Sequence, residues 1–111
     1  MITNSVKHVH AGDRIYAAMQ SGEVDPSVCS HLGQINNVDA SSPGCEECMQ
    51  MGAEWVNLRI CLTCGHVGCC DDSPNRHATK HNHATGHPII QSFNPGESWI
   101  YCYPDDALLS S

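Results

Sequence analysis

The sequence predicts a small α+β domain whose apolar core is too thin to hold the fold alone. Three observations lead there. Of the 111 residues, 41% are aliphatic, aromatic or Cys, but eight are Cys and only six are aromatic: Trp55, Trp99, Tyr16, Tyr101, Tyr103 and Phe93. A domain of this length buries a smaller share of its surface than a large one. Helix-like and strand-like segments are both present, and all are short. Eight Cys and eight His remain as the unusual asset of the chain.

Taken in order, Asp13 to Gln20 reads as a short helix capped by Asp13 and stopped near Gly22. Residues 30–44 are polar and loop-like. Trp55 to Ile60 alternates apolar and polar side chains, the pattern of a half-buried strand. Arg76 to Thr85 suits a helix, with Ser73 as N-cap before Pro74 and Gly86 as the stop. Pro88 to Phe93 and Ser98 to Tyr103 read as the strands of a hairpin, joined by the turn Asn94-Pro95-Gly96-Glu97. Asp105 to Ser111 is read as a short helix or a frayed tail.

Charge and hydropathy exclude several classes. Five Lys and Arg against twelve Asp and Glu give a formal charge of −7. Phosphate contacts need a basic footprint, so nucleic acid is not an expected partner. No apolar run approaches the length of a membrane span, so no membrane partner is expected either. Met1 to His8 lacks the apolar stretch of an export signal, and a reducing, cytoplasmic setting and a monomer are expected.

That setting argues against four disulfides. Cys45-Glu46-Glu47-Cys48 and Cys61-Leu62-Thr63-Cys64 are C-x2-C pairs, whose tight turns aim two thiolates at one tetrahedral metal. With a cluster of His following, the expected cofactor is zinc. A redox reading of the same pairs would need a βαβ context that Ser41-Ser42-Pro43-Gly44 does not supply. Cys61, Cys64, His77 and His81 fit the spacing of the two-Cys, two-His finger. However, Pro74 and Gly68 leave no room for its helix, Cys45, Cys48 and Cys69 would be stranded, and the chain is acidic. The alternative interleaves two sites, with Cys45, Cys48, Cys69 and His77 on one metal and Cys61, Cys64, His81 and His87 on another. Against it, His77 and His81 stand four apart and would share a helix face. Spacing alone leaves the pairing open.

Longer motifs carry a resemblance. Cys29-Ser-His31-Leu, Cys45-x2-Cys48, the run from Trp55 through Cys61, Cys64 and Cys69, His77-Ala-x2-His81, Thr85-Gly-His87-Pro and the Trp99 to Tyr103 strand occur in an order similar to the ubiquitin-specific-protease-type zinc finger. The resemblance covers residues 29–106. It leaves 1–28 as an N-terminal extension with a short helix and 107–111 as a tail. It implies a twisted antiparallel sheet with flanking helices, two or three zinc ions, and the interleaved pairing. It also implies a third site. Cys29, His31 and Cys102 match three of its ligands, and Asp105 stands where the family has Cys; a carboxylate is a legitimate zinc ligand.

The resemblance further implies a slot for the carboxyl-terminal Gly-Gly of ubiquitin, with Trp55 and Tyr101 as walls and Tyr103 as hydroxyl donor. The family's carboxylate-binding Arg falls on Asp71, beside Asp72. A like charge there opposes the usual ubiquitin tail and favours a cationic group on a protein tail or peptide. The expected function is therefore a non-catalytic, zinc-binding peptide module. The alternatives are the usual Gly-Gly binder, or a hydrolase or redox sensor using an open third site. Cys70 is expected to pack, His83 to be exposed, His66 to hydrogen-bond a backbone group or thiolate, and Trp99 to sit in the core.

Overall fold

The structure, a computed structural model, describes residues 7–110. Strand β1 (His8–Val9) leads into helix α1 (Ala11–Ser21). The helix begins two residues before Asp13. His10 takes the capping position without a side-chain bond, and the Asp13 N–H is met by Asn37 Oδ1 at 3.0 Å, from a distant loop. Gly22 ends the helix in the left-handed conformation, φ 83°, as its position predicts. Strand β2 (Val38–Asp39) pairs with β1, and His8 pairs with Asp39 through their side chains.

Helix α2 (Glu46–Met51), strand β3 (Leu58–Cys61), strand β4 (Val67–Cys69), helix α3 (His77–Thr85), strand β5 (Ile89–Ser92), strand β6 (Ile100–Cys102) and strand β7 (Ala107–Ser110) follow. The last five strands form one antiparallel sheet in the order β4-β3-β5-β6-β7. The fold is thus α+β, with an antiparallel sheet and flanking helices. None of its helices, among the described residues, is long and apolar enough to cross a membrane.

Four further expectations are corrected. The strand expected from Trp55 starts at Leu58, because the Val56 N–H turns to Ser73 Oγ (2.8 Å) instead of a neighbouring strand. Ser73 is thereby buried at that junction and does not cap α3. Arg76 takes the capping position in the left-handed region, φ 48°, and the His77 N–H points at Cys69 Sγ, 3.2 Å away. The expected tail at 107–111 carries β7, with Leu109 buried and Leu108 exposed; two adjacent Leu conceal the alternation of a strand. Residue 111 itself lies outside the described residues, as do 1–6 of the expected extension. The rest of that extension is no appendage. Val9, Ala11, Ile15 and Val24 are buried in the same cluster as Ile60, Ile89, Ile100 and Leu109. Arg14 fastens α1 to the sheet through Gln91 Oε1 (2.7 Å) and the Ser98 carbonyl (3.1 Å).

The register sorts the strands onto two faces. Ile60, Ile89, Ile100 and Leu109 point toward α1, so Arg59, Ile90, Tyr101 and Leu108 point the other way. Helix α3 crosses that second face against β4. It comes so close that any Cβ on Gly68 would lie 2.7 Å from the Ala78 nitrogen.

Candidate metal centres and an aromatic pocket

Twelve predicted ligands fall into three groups of four, and the ligand atoms within each group lie within 4.8 Å of one another. The fold brings them from separate elements. In the first group, Cys45 opens α2, Cys48 lies one turn inside it, Cys69 ends β4 and His77 begins α3. Nδ1 of His77 is 3.2, 3.3 and 3.6 Å from the sulfurs of Cys45, Cys48 and Cys69. Tetrahedral zinc with bonds of about 2.0–2.3 Å separates its ligands by roughly 3.3–3.8 Å, so this donor set fits the ion. Burial pushes the Cys45 thiol up to about 12. A buried thiolate at neutral pH therefore needs a cation beside it.

In the second group, Cys61 ends β3, Cys64 sits in the following knuckle, His81 comes from α3, and His87 follows its C-cap. His87 Nδ1 is 3.5 Å from Cys61 Sγ, and His81 Nε2 is 3.4 Å from Cys64 Sγ. Although His77 and His81 are four apart on one helix, they face different groups. His77 sits on the first turn and uses its near ring nitrogen; His81 uses its far one. Gly65 makes the knuckle possible. Its φ is 88°, and any Cβ there would collide with the Asp39 carbonyl oxygen.

The third group lies on the α1 side of the sheet. His31 Nδ1 is 3.8 Å from Cys29 Sγ, 3.5 Å from Cys102 Sγ and 3.1 Å from Asp105 Oδ2. The Ser30 N–H donates to the same carboxylate oxygen at 3.0 Å and holds Asp105 below the usual carboxylate range. The two sulfurs stand 2.9 Å apart, closer than tetrahedral ligands of zinc; the other separations fit.

Neighbouring residues differ from expectation in two places. Cys70 is buried with its sulfur 3.6 Å from Ser73 Oγ, and His83 is exposed, as their positions predict. His66 meets neither backbone nor thiolate. Its Nε2 hydrogen-bonds the Glu47 carboxylate at 2.8 and 2.9 Å, and its ring stacks on His81. Trp99 is not core. It is half-buried, with the Arg59 guanidinium 4.4 Å from its ring centre.

Trp99 and Arg59 line a cavity of about 550 Å³ on the second face of the sheet, together with Tyr101, Tyr103, Thr79 and Asp71. The two tyrosine rings meet edge to face at 5.4 Å. The Thr79 hydroxyl donates to Asp71 Oδ1 at 2.5 Å and lies 3.3 Å from the Tyr103 oxygen. The Tyr101 hydroxyl donates to Asp106, which pushes its pKa up to about 12. Of the four residues expected in the slot, Tyr101, Tyr103 and Asp71 are together here and Trp55 is not. Trp55 covers Gly44, where any Cβ would lie 2.7 Å from its ring. Arg59, Trp99 and Thr79 are among the lining residues that sequence reasoning missed. Strand alternation held the signal for Arg59: with Ile60 in the core, its neighbour must face the other side.

Comparison with known proteins gives three findings. The model of a family described as a Zn-finger in ubiquitin-hydrolases and other protein matches residues 45–111. The BRCA1-associated proteins of Mus musculus and Homo sapiens are each 38% identical over 55 residues, which is 50% of this chain but only 9% of each relative. The solution NMR structure of protein RPA1320 from Rhodopseudomonas palustris superposes with a TM-score of 0.70 at 57% identity, covering 74% of this chain and 80% of that one.

Proposed function

We propose, on the premise that this chain belongs to the family of zinc fingers found in ubiquitin-hydrolases and other proteins, that it is a non-catalytic module in which zinc builds the fold and the aromatic pocket takes a peptide. Cys45, Cys48, Cys69 and His77 would hold one ion, Cys61, Cys64, His81 and His87 a second, and Cys29, His31, Cys102 and Asp105 a third. When bound, the ion supplies the positive charge that lets buried thiolates ionise and ties distant segments together. Four protein donors per ion leave no open position for water, which is the mark of a structural site. Zinc content per chain tests the third set: three ions are expected, falling to two in Asp105→Ala. Two in both proteins would refute it.

The observation that carries the peptide reading is the pocket's make-up, flat aromatic walls with charges of both signs at its edges. Asp71 and Asp72 outnumber Arg59 around it, and the whole chain is acidic. We therefore assign it a cationic group, an amino terminus or a Lys side chain, with Asp71 as counter-ion and the tyrosine rings in cation–π contact. A second reading rests on Arg59, whose guanidinium lines the same cavity and would suit a terminal carboxylate such as that of a Gly-Gly tail.

Trp99 fluorescence separates the two. Peptides with a free amino end or a Lys should bind, forms with every amine acetylated should not, and Asp71→Ala should abolish the response. Binding that instead needs a free carboxylate and Arg59 would overturn the cationic assignment.

A further inference from the structure

We propose that His66 is a positioning residue that links the first two metal centres, orienting His81 in one from Glu47 in the turn of the other. The proposal rests on the reading that Cys61, Cys64, His81 and His87 hold an ion. A metal-bound His is ordinarily oriented by a hydrogen bond on its far ring nitrogen. Among the described residues no such bond reaches Nδ1 of His81. Its ring is held instead by a parallel stack on His66, with centroids 4.1 Å and planes 8° apart, while His87 meets it edge-on at 5.3 Å.

His66 is itself firmly fixed. Its side chain is 13% exposed. A carboxylate only accepts, so Nε2 carries the proton it shares with the two Glu47 oxygens at 2.8 and 2.9 Å. Glu47 lies between Cys45 and Cys48. Neither Glu47 nor His66 is placed to bind an ion, yet together they join the chelating turn of one centre to a ligand of the next. The surrounding chain reinforces the join. The Ser41 N–H donates to the Gly65 carbonyl at 2.9 Å, and Ser41 Oγ both accepts from the Val67 N–H at 3.1 Å and donates to Glu46 at 2.8 Å. The segment entering the first centre is thus sewn to the knuckle of the second.

The consequence is specific: removing Glu47 should loosen the metal of the centre to which it does not belong. Cadmium-113 NMR of the loaded full chain distinguishes the three-thiolate centre from the two-thiolate ones, of which the third is told from the second by its carboxylate ligand, and chelator competition gives the affinity of each. Glu47→Ala is expected to weaken the Cys61/Cys64/His81/His87 centre about tenfold, in line with the usual effect of losing an outer-shell partner, and to leave the Cys45/Cys48/Cys69/His77 centre within about twofold. Glu47→Gln, which still accepts a hydrogen bond, should restore most of the loss. His66→Phe, which keeps a stacked ring and drops the hydrogen bond, should behave like Glu47→Ala. If Glu47→Ala loosens only its own centre, or neither, the link does not exist. A wild-type chain with no cadmium at the second centre overturns the ligand assignment and this proposal together, whereas a loaded wild type with an indifferent variant overturns the proposal alone.

Discussion

The α1 side of the five-stranded sheet and its β4 end, where α2 and α3 meet it, are held by different forces. Toward α1 lies a continuous apolar cluster that includes Val9, Ile15, Leu32, Ile60, Leu62, Ile89, Ile100 and Leu109. At the β4 end of the sheet, where α2 and α3 pack, the other buried cluster among the described residues is Cys45, Cys48 and Cys69, with Ala53 and Leu58 beside it. Helix α3 brings to that end His77 and Ala78 as its buried residues, and little else that is apolar. The contrast teaches that a domain of this size can fold on half a core if ions do the work of the other half. The third candidate centre belongs to the α1 side, since Cys29 and Cys102 are members of the apolar cluster.

Substitutions should expose this division in a definite order. Cys48→Ala removes a ligand from the end of the sheet with no apolar core to fall back on. Its expected effect is the largest, loss of the folded state at neutral pH, seen as collapse of the dispersed amide spectrum. Ile60→Ala, in the centre of the apolar face, should cost about 3 kcal/mol and leave the first two metals bound, as urea denaturation and metal analysis would show. Arg59→Ala removes only a partly buried cation over Trp99, so a change within about 1 kcal/mol is expected by the same denaturation. Were Ile60→Ala to cost more than Cys48→Ala, the contrast between the two regions would be reversed.

The two regions were also unequally legible. Ligand chemistry is local and discrete: two C-x2-C pairs followed by a cluster of His announce themselves before any strand is placed, whereas the grouping and the third set came only with the family resemblance. What spacing could not do was decide whether His77 and His81 share an ion, because that depends on which ring nitrogen each one turns inward. The pocket was legible only in part. In an unbroken strand from Trp55 to Ile60, Trp55 would share a face with Arg59 and, through β5, with Tyr101. The strand begins at Leu58, because Val56 bonds to Ser73 and Asn57 accepts from the Cys70 N–H (2.9 Å). Trp55 is thereby turned out of the pocket, and Arg59 and Trp99 make up its wall. The N-terminal segment was underrated for a different reason. Its few apolar residues look sparse alone and become a core only when laid on Ile60 and Ile100.

Amide hydrogen exchange across α3, before and after zinc is stripped from the full chain with a chelator, tests most directly whether ions stand in for the missing half of the core. The amides from His77 to Thr85 should be protected in the loaded protein and exchange as in an unfolded chain once the metal is gone. If they stayed as protected without zinc as with it, apolar packing alone would be holding this region, and the account given for it would be wrong.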